Sequence, residues 1–277
     1  MLLISQMNRG QGSQRQFLDA TTIKFLAAAL MFVDHIHQMF YSMGVPSWVD
    51  LFGRPVFPLF LFLAADSFHY THSKKGYIKR LLLASWAMTI LTFAVQRLFP
   101  NDTVALMNNA FSTFFVASLY MLGWDFLRDG LHRKDKKKIR NAVLIMLIPV
   151  VFILPTALML FLAMSGTASA GMIQVLSFVS LLLPNLITAE GGPLYVLLGF
   201  LFYIFRENRR VQILTVLAFG VIAYSISGGV QWAILLAAVP MLLYNGQKGK
   251  GDKRFFYIFY PVHIIVLYLL ATFLMKR

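Results

Sequence analysis

A few ionisable residues interrupt long apolar runs of this sequence. Asp34 and His35, with His37 after them, follow the run from Phe25 to Val33; Asp66 and His69 follow the run from Phe57 to Ala65; and His263 stands behind Pro261 between Phe255 and Leu270. A charge at bilayer depth costs about 3 kcal/mol even on the mildest scales, so such residues are candidates for function. A neutral histidine is a general base, and a neighbouring carboxylate can orient a partner or hold a cation. At a rise of 1.5 Å per residue, His35, Asp66 and His263 all fall within about 10 Å of the middle of their runs, which suits one internal polar cavity if the helices are neighbours. The plainer reading is that each polar residue joins helices. It fits His37, His69 and His72, near run ends, better than the adjacent Asp34 and His35.

Arg54 lies in Leu51-Phe52-Gly53-Arg54-Pro55-Val56-Phe57-Pro58-Leu59-Phe60, where two prolines suit a first helical turn or a kink. It serves either as a headgroup anchor or as a fixed cation at the mouth of a cavity. Asn108, Asn109, Ser112 and Thr113 place polar groups on more than one face at the start of an apolar run, and Glu190-Gly191-Gly192 precedes Pro193. His35 and His37 are two residues apart and point away from each other on a helix, and His69 and His72 sit at an aqueous edge, so no metal site is expected. The chain has no cysteine and no Gly-x-Ser-x-Gly elbow, which removes thiolate chemistry and leaves a serine triad without support.

The elements that must position these residues follow from composition. Of 277 residues 58% are apolar and only 13% charged, with a net charge of +14, and the mean hydropathy is +0.69. An all-α polytopic membrane protein is implied, a single domain over 1–277 with no room for a Rossmann or P-loop module. Apolar runs predict spans near 22–41, 55–72, 79–98, 109–127, 141–163, 193–206, 211–227, 229–244 and 255–275, with 172–187 ambiguous. If 172–187 does not cross, 21 of the 25 Lys and Arg fall on the side of the N-terminus; if it crosses, the split is 16 to 9. The positive-inside rule therefore favours about nine transmembrane helices, with 172–187 re-entrant or interfacial, over ten crossings. Residues 1–18 read as a polar cytoplasmic tail before a retained first helix. The run Arg133, Lys134, Lys136, Lys137, Lys138, Arg140 reads as an inner-face signal touching anionic lipid, with a soluble polyanion as the lesser alternative and no nucleic acid expected.

Several segments resemble one family. Phe32-Val33-Asp34-His35-Ile36, Gly53-Arg54-Pro55-Val56-Phe57-Pro58-Leu59-Phe60-Leu61-Phe62, Tyr77 with Lys79-Arg80-Leu81, and Phe256-Tyr257-Ile258-Phe259-Tyr260-Pro261-Val262-His263 are similar to the TraX family, integral membrane proteins named for a conjugative-pilus component linked to N-terminal acetylation of pilin. The order of the segments extends the resemblance over essentially the whole chain. The N-terminal half is more distantly similar to membrane acetyltransferases of the heparan-glucosaminide type, through Asp50-Leu51 to Phe62. In that family the catalytic histidine lies in the loop after the first helix. Here 42–54 has none, and the role passes to His35.

The resemblance implies a transmembrane acetyltransferase in a bacterial cytoplasmic membrane, its N-terminus cytoplasmic, using acetyl-CoA as co-substrate. His35 would be the base, Asp34 its helper or the holder of the acceptor, and Arg54 the oxyanion partner. Lys79, Arg80, Arg254, Tyr260 and His263 would bind coenzyme A. Asp66 and Glu190 would meet an extracytoplasmic acceptor, a peptide or glycan. Direct transfer is favoured over an acyl-enzyme, since no cysteine is present; an acetyl-histidine stays open. Two other classes also stay open: a proton-coupled transporter or flippase relaying through Asp34, Asp66 and His263, and a non-catalytic assembly factor for a pilus or polymer.

Overall fold

A computed structural model describes residues 17–275. The polar tail lies outside the described residues up to residue 16. Its end is held: Leu18 N donates to Leu243 O at 3.1 Å, Asn245 N donates to Leu18 O at 2.9 Å, and this parallel bridge between Leu18 and Tyr244 is the one β-type pairing among the described residues.

Helix α1 (Ala20–Phe40) starts where Asp19 accepts from Thr22 N at 2.7 Å, a side-chain N-cap. A short α2 (Asp50–Gly53) and α3 (Val56–His69) form the return, and α4 (Lys74–Leu98) starts at a Ser73 cap. Helix α5 (Ala110–His132) is capped by Asn109 and α6 (Lys136–Val151) by Asp135; α7 (Leu154–Ser165) continues α6 past Pro149. Then come α8 (Ala170–Leu182), α9 (Gly192–Ile204) and α10 (Arg209–Ser227), followed by a nine-residue 3-10 helix (Gly229–Ala237) that runs into α11 (Ala238–Leu243), and finally α12 (Lys253–Met275).

Contacts between elements tie the basic clusters to one end of the bundle. Lys74 pairs with Asp125, Arg128 lies 3.7 Å from Glu207, the Arg209 guanidinium sits 4.8 Å from the Tyr244 ring, and Gly251 N donates to Thr21 Oγ1 at 3.0 Å. From this basic end the described chain passes nine times between the two ends, alternating in direction. The partition differs from the one expected. The helix α8 is 13 residues long and so is α9, about 20 Å each against a hydrocarbon core of about 30 Å. The Trp86 indole bonds Leu182 O at 2.7 Å near the middle of α4, and the α9 residue Tyr203 bonds Asp125 at the basic end. Segment 172–187 is thus the first half of one broken pass, and 193–206 is its second half, not a separate full span. The 229–244 pass succeeds with 15 residues because a 3-10 helix rises about 2.0 Å per residue, giving about 27 Å with α11.

Among the described residues six helical runs are long and apolar enough to cross a membrane: Ser47–His69, Lys74–Leu98, Ala110–His132, Lys136–Ser165, Arg209–Ser227 and Arg254–Met275. Their outer faces carry exposed Leu, Ile, Val and Phe, as at Ile90, Leu144, Phe161, Val221 and Val266. The core is centred on α3, where Leu59, Leu61, Phe62, Leu63 and Phe68 are buried against α1, α5 and α9. With lipid as apolar as leucine, close fit and small residues hold such helices together; Gly199 of α9 lets Leu61 approach within 2.9 Å of where a Cβ would stand.

Candidate functional site

Two non-helical segments reach into the middle of the bundle and build the site. The segment 100–109 begins at the far end, where Tyr268 bonds Phe99 O and Asn101 bonds Thr272, and descends through buried Val104 and Leu106. It ends at Asn109, whose amide donates to Ser85 O, Ser85 Oγ and Thr89 Oγ1 at 3.0–3.2 Å halfway along α4. The segment 183–191 is held by Asn185, which bonds Phe152 O and Thr156 Oγ1, and it brings in Glu190. Irregular backbone at this depth is tolerated where it is buried in protein or lines a cavity. The first turns of α5 and α9 thereby begin inside the fold.

At the centre His35 of α1 and His263 of α12 are 4% and 5% exposed. His35 Nδ1 lies 2.7 Å from His263 Nε2, and His263 Nδ1 lies 2.6 Å from Phe259 O. A carbonyl only accepts, so His263 Nδ1 carries the proton. His263 Nε2 then accepts, His35 Nδ1 donates to it, and His35 Nε2 keeps its lone pair. That lone pair faces Asn108 Nδ2 at 3.5 Å, and Asn108 and Gln38 exchange two amide bonds of 3.2 Å. The long contact to Asn108 leaves Nε2 displaceable.

Beside this pair Glu190 Oε2 accepts from Asn109 N at 2.6 Å and from Tyr260 Oη at 3.1 Å, while Tyr260 Oη accepts from Ala110 N at 2.8 Å. Asp34 rests on Gly53, where any Cβ would stand 2.0 Å from its carboxyl. That contact explains the glycine of the Gly-Arg motif. The next residue, Arg54, lies 3.3 Å from Asp50, which also meets His37 at 2.5 Å.

Two cavities converge here. A larger one, about 680 Å³, runs from Asp34, His35, Glu190 and Tyr260 to the basic end, where Arg80 and Lys248 stand at its rim. A second, about 360 Å³, is lined by Arg54, Gly191, Tyr195, Ser227 and Gln231. Asp34, Gly53, Phe57 and Glu190 line both.

Of the residues singled out from sequence, Asp34, His35, Tyr260 and Glu190 come together, with Arg54 across Gly53. Four go elsewhere. Asp66 lines the larger cavity at its basic end, where it accepts from Tyr244 Oη at 2.9 Å, because α3 runs opposite to α1 and ends there. Lys79 is exposed and absent from the cavity wall, since one helical residue turns it about 100° from Arg80. Arg254, two residues before the cavity residue Phe256, likewise faces out. His263 stands behind His35 and not in the wall. Sequence reading gave no role to Asn108 and Gln38, although the polar start at 108–113 marked the segment. Among the described residues no group of three or more His, Cys, Asp or Glu is placed to hold a metal ion.

Apolar passes around a buried histidine pair, with two cavities meeting at carboxylates, define a polytopic membrane protein with an internal polar site. The model of the TraX protein family matches residues 19–271, and the chain belongs to that family. No curated protein and no solved structure matches it.

Proposed function

We propose that this protein is a transmembrane acetyltransferase that moves an acetyl group from cytosolic acetyl-CoA to an amine or hydroxyl acceptor, a peptide N-terminus or a sugar, on the outer side of a bacterial cytoplasmic membrane. The observation that carries the reading is the meeting of the two cavities at Asp34 and Glu190, with a histidine base in the wall. The basic end faces the cytoplasm in this reading, by the positive-inside rule, and the run 133–140 touches anionic lipid there. The donor enters the larger cavity and the acceptor the smaller one.

In the step itself the acceptor nitrogen or oxygen attacks the thioester carbon while its proton passes to His35 Nε2, displacing the Asn108 contact. The C–S bond breaks, and the coenzyme A thiolate takes the proton back from His35. Asp34 and Glu190 hold the acceptor, and Arg54 offers positive charge beside the developing oxyanion. His263 is a positioning residue: it fixes the tautomer that leaves Nε2 basic.

The same meeting of cavities would serve a proton-coupled transporter, so the test must separate the two. Purified protein in lipid nanodiscs, given acetyl-CoA and candidate peptide or sugar acceptors, is expected to release free thiol in an acceptor-dependent way, and His35→Ala should lower the rate about 100-fold or more. Thiol release with no acceptor dependence, or an unchanged rate in His35→Ala, overturns the reading. Acceptor flux driven by a pH gradient without acetyl-CoA would favour transport.

A further inference from the structure

The loop 245–252 forms one side of the larger cavity's rim and is fastened to the first turn of α1. Ala20 N donates to Gln247 O at 2.8 Å, Thr21 Oγ1 donates to Lys248 O at 2.8 Å, and Gly251 N donates to Thr21 Oγ1 at 3.0 Å. Gly249, at φ 70°, lies so close on Asp19 that a Cβ would stand 2.5 Å from its carboxyl. Three cations from three elements face this rim: Lys24 of α1, Arg80 of α4 and Lys248 of the loop. Two acids, Asp66 and Asp252, line the same end of the cavity. Asp19 caps α1 through Thr22 N, Asp252 accepts from Phe255 N at 3.3 Å, and Asp66 accepts from Tyr244. The rim thus holds three cations against two acids, one of the cations on a fixed loop, and Tyr70, 72% exposed, adds a ring face to it.

The depth of the cavity supplies a ruler. Lys24 and His35 stand eleven residues apart on one helix, about 17 Å along its axis. In a coenzyme A thioester the pantetheine arm has fourteen bonds from the diphosphate phosphorus to the acetyl carbon. At about 1.2 Å of extension per bond, a third of the rise per residue of an extended chain, the arm spans about 17 Å.

We propose that this rim is the seat of the donor's phosphates, with Lys24, Arg80 and Lys248 around the loop 245–252 taking the diphosphate and 3′-phosphate of a coenzyme A thioester while Tyr70 covers the adenine. The match in length places the acetyl group at His35 when the diphosphate sits at Lys24, and cations on separate elements suit a polyanion of several phosphates. The assignment rests on the acetyl-transfer reading for the identity of the donor, but not for the presence of the site.

Two measurements in nanodiscs test it on the full chain. The first is binding of adenosine 3′,5′-bisphosphate, which has no thioester and needs no catalysis. The wild type is expected to bind it, Lys248→Glu to bind at least about tenfold more weakly, and Lys248→Arg to stay within about twofold. The second compares acetyl-CoA with acetyl-pantetheine as donors. Lys248→Glu should raise KM for acetyl-CoA about tenfold or more and leave kcat/KM for acetyl-pantetheine unchanged. No bisphosphate binding by the wild type, equal binding by Lys248→Glu, or equal losses with both donors overturns the proposal. Bisphosphate binding without transfer from either donor would keep the phosphate site and defeat the acetyltransferase reading instead.

Discussion

Replacing His263 tests whether the histidine pair acts as one unit. His263→Ala removes the acceptor 2.7 Å from His35 Nδ1 at a place where both rings are about 5% exposed. A buried donor left unpaired costs about 1–3 kcal/mol. If that cost falls on the tautomer that keeps Nε2 basic, kcat/KM drops about 5- to 150-fold. Removal of the base itself in His35→Ala costs about 10² to 10⁴. Because His263 works only through His35, the double variant His35→Ala/His263→Ala should be no slower than His35→Ala alone. His263→Gln, whose side-chain carbonyl can accept from His35 Nδ1, should recover part of the loss. The assay is acceptor-dependent thiol release in nanodiscs, with thermal unfolding of each variant as a control for folding. Losses that multiply in the double variant would refute the reasoning, as would a His263→Gln variant no better than His263→Ala at equal stability.

Three other perturbations bear on the supports of the site. Gly53→Ala would push a Cβ into the Asp34 carboxyl, so activity should fall about tenfold or more; an unchanged rate in the same assay would show that Asp34 has no fixed position. Asn109→Ala removes the α5 cap and the bonds to Ser85 and Thr89, at a cost of about 1–3 kcal/mol, which should appear as a lower Tm by scanning fluorimetry. Glu190→Ala leaves Asn109 N and Tyr260 Oη without their shared acceptor, at a cost of about 1–3 kcal/mol, which should lower Tm in the same assay; an unchanged Tm would show that neither bond holds the segment.

Membership of the chain in a membrane class was legible from its apolar runs, since a run of that length has few other solutions in a 277-residue protein. So was the gathering of Lys74 to Arg80, Arg128 to Arg140, Arg206 to Arg210 and Lys248 to Arg254 at one end, because alternation of direction fixes which loops share a side. The scarcity of ionisable groups also made Asp34, His35, Asp66 and His263 stand out before any fold was known, although Asp66 lies away from the other three. The broken pass through α8 and α9 was not legible, as each half is apolar enough to count as its own segment and only its neighbours show where it stops. Hydropathy also cannot tell a 3-10 rise from an α-helical one, which is how 229–237 achieves its length.

What the sequence by itself determined was the kind of residue available at depth: histidines, a few carboxylates, one arginine near Gly53, and no thiol. Partnership was decided by the tertiary structure. His35 and His263 are 228 residues apart, and their bond exists because α1 and α12 run parallel with those two faces turned inward. Asp66 has the same chemistry and a similar distance from the middle of its own run, yet the opposite direction of α3 carries it to the basic end. Lys79 and Arg80 are neighbours in sequence, and only one reaches the cavity wall. Residue type and depth are one-dimensional properties, whereas helix direction, rotation and neighbour choice are fixed by packing in three dimensions.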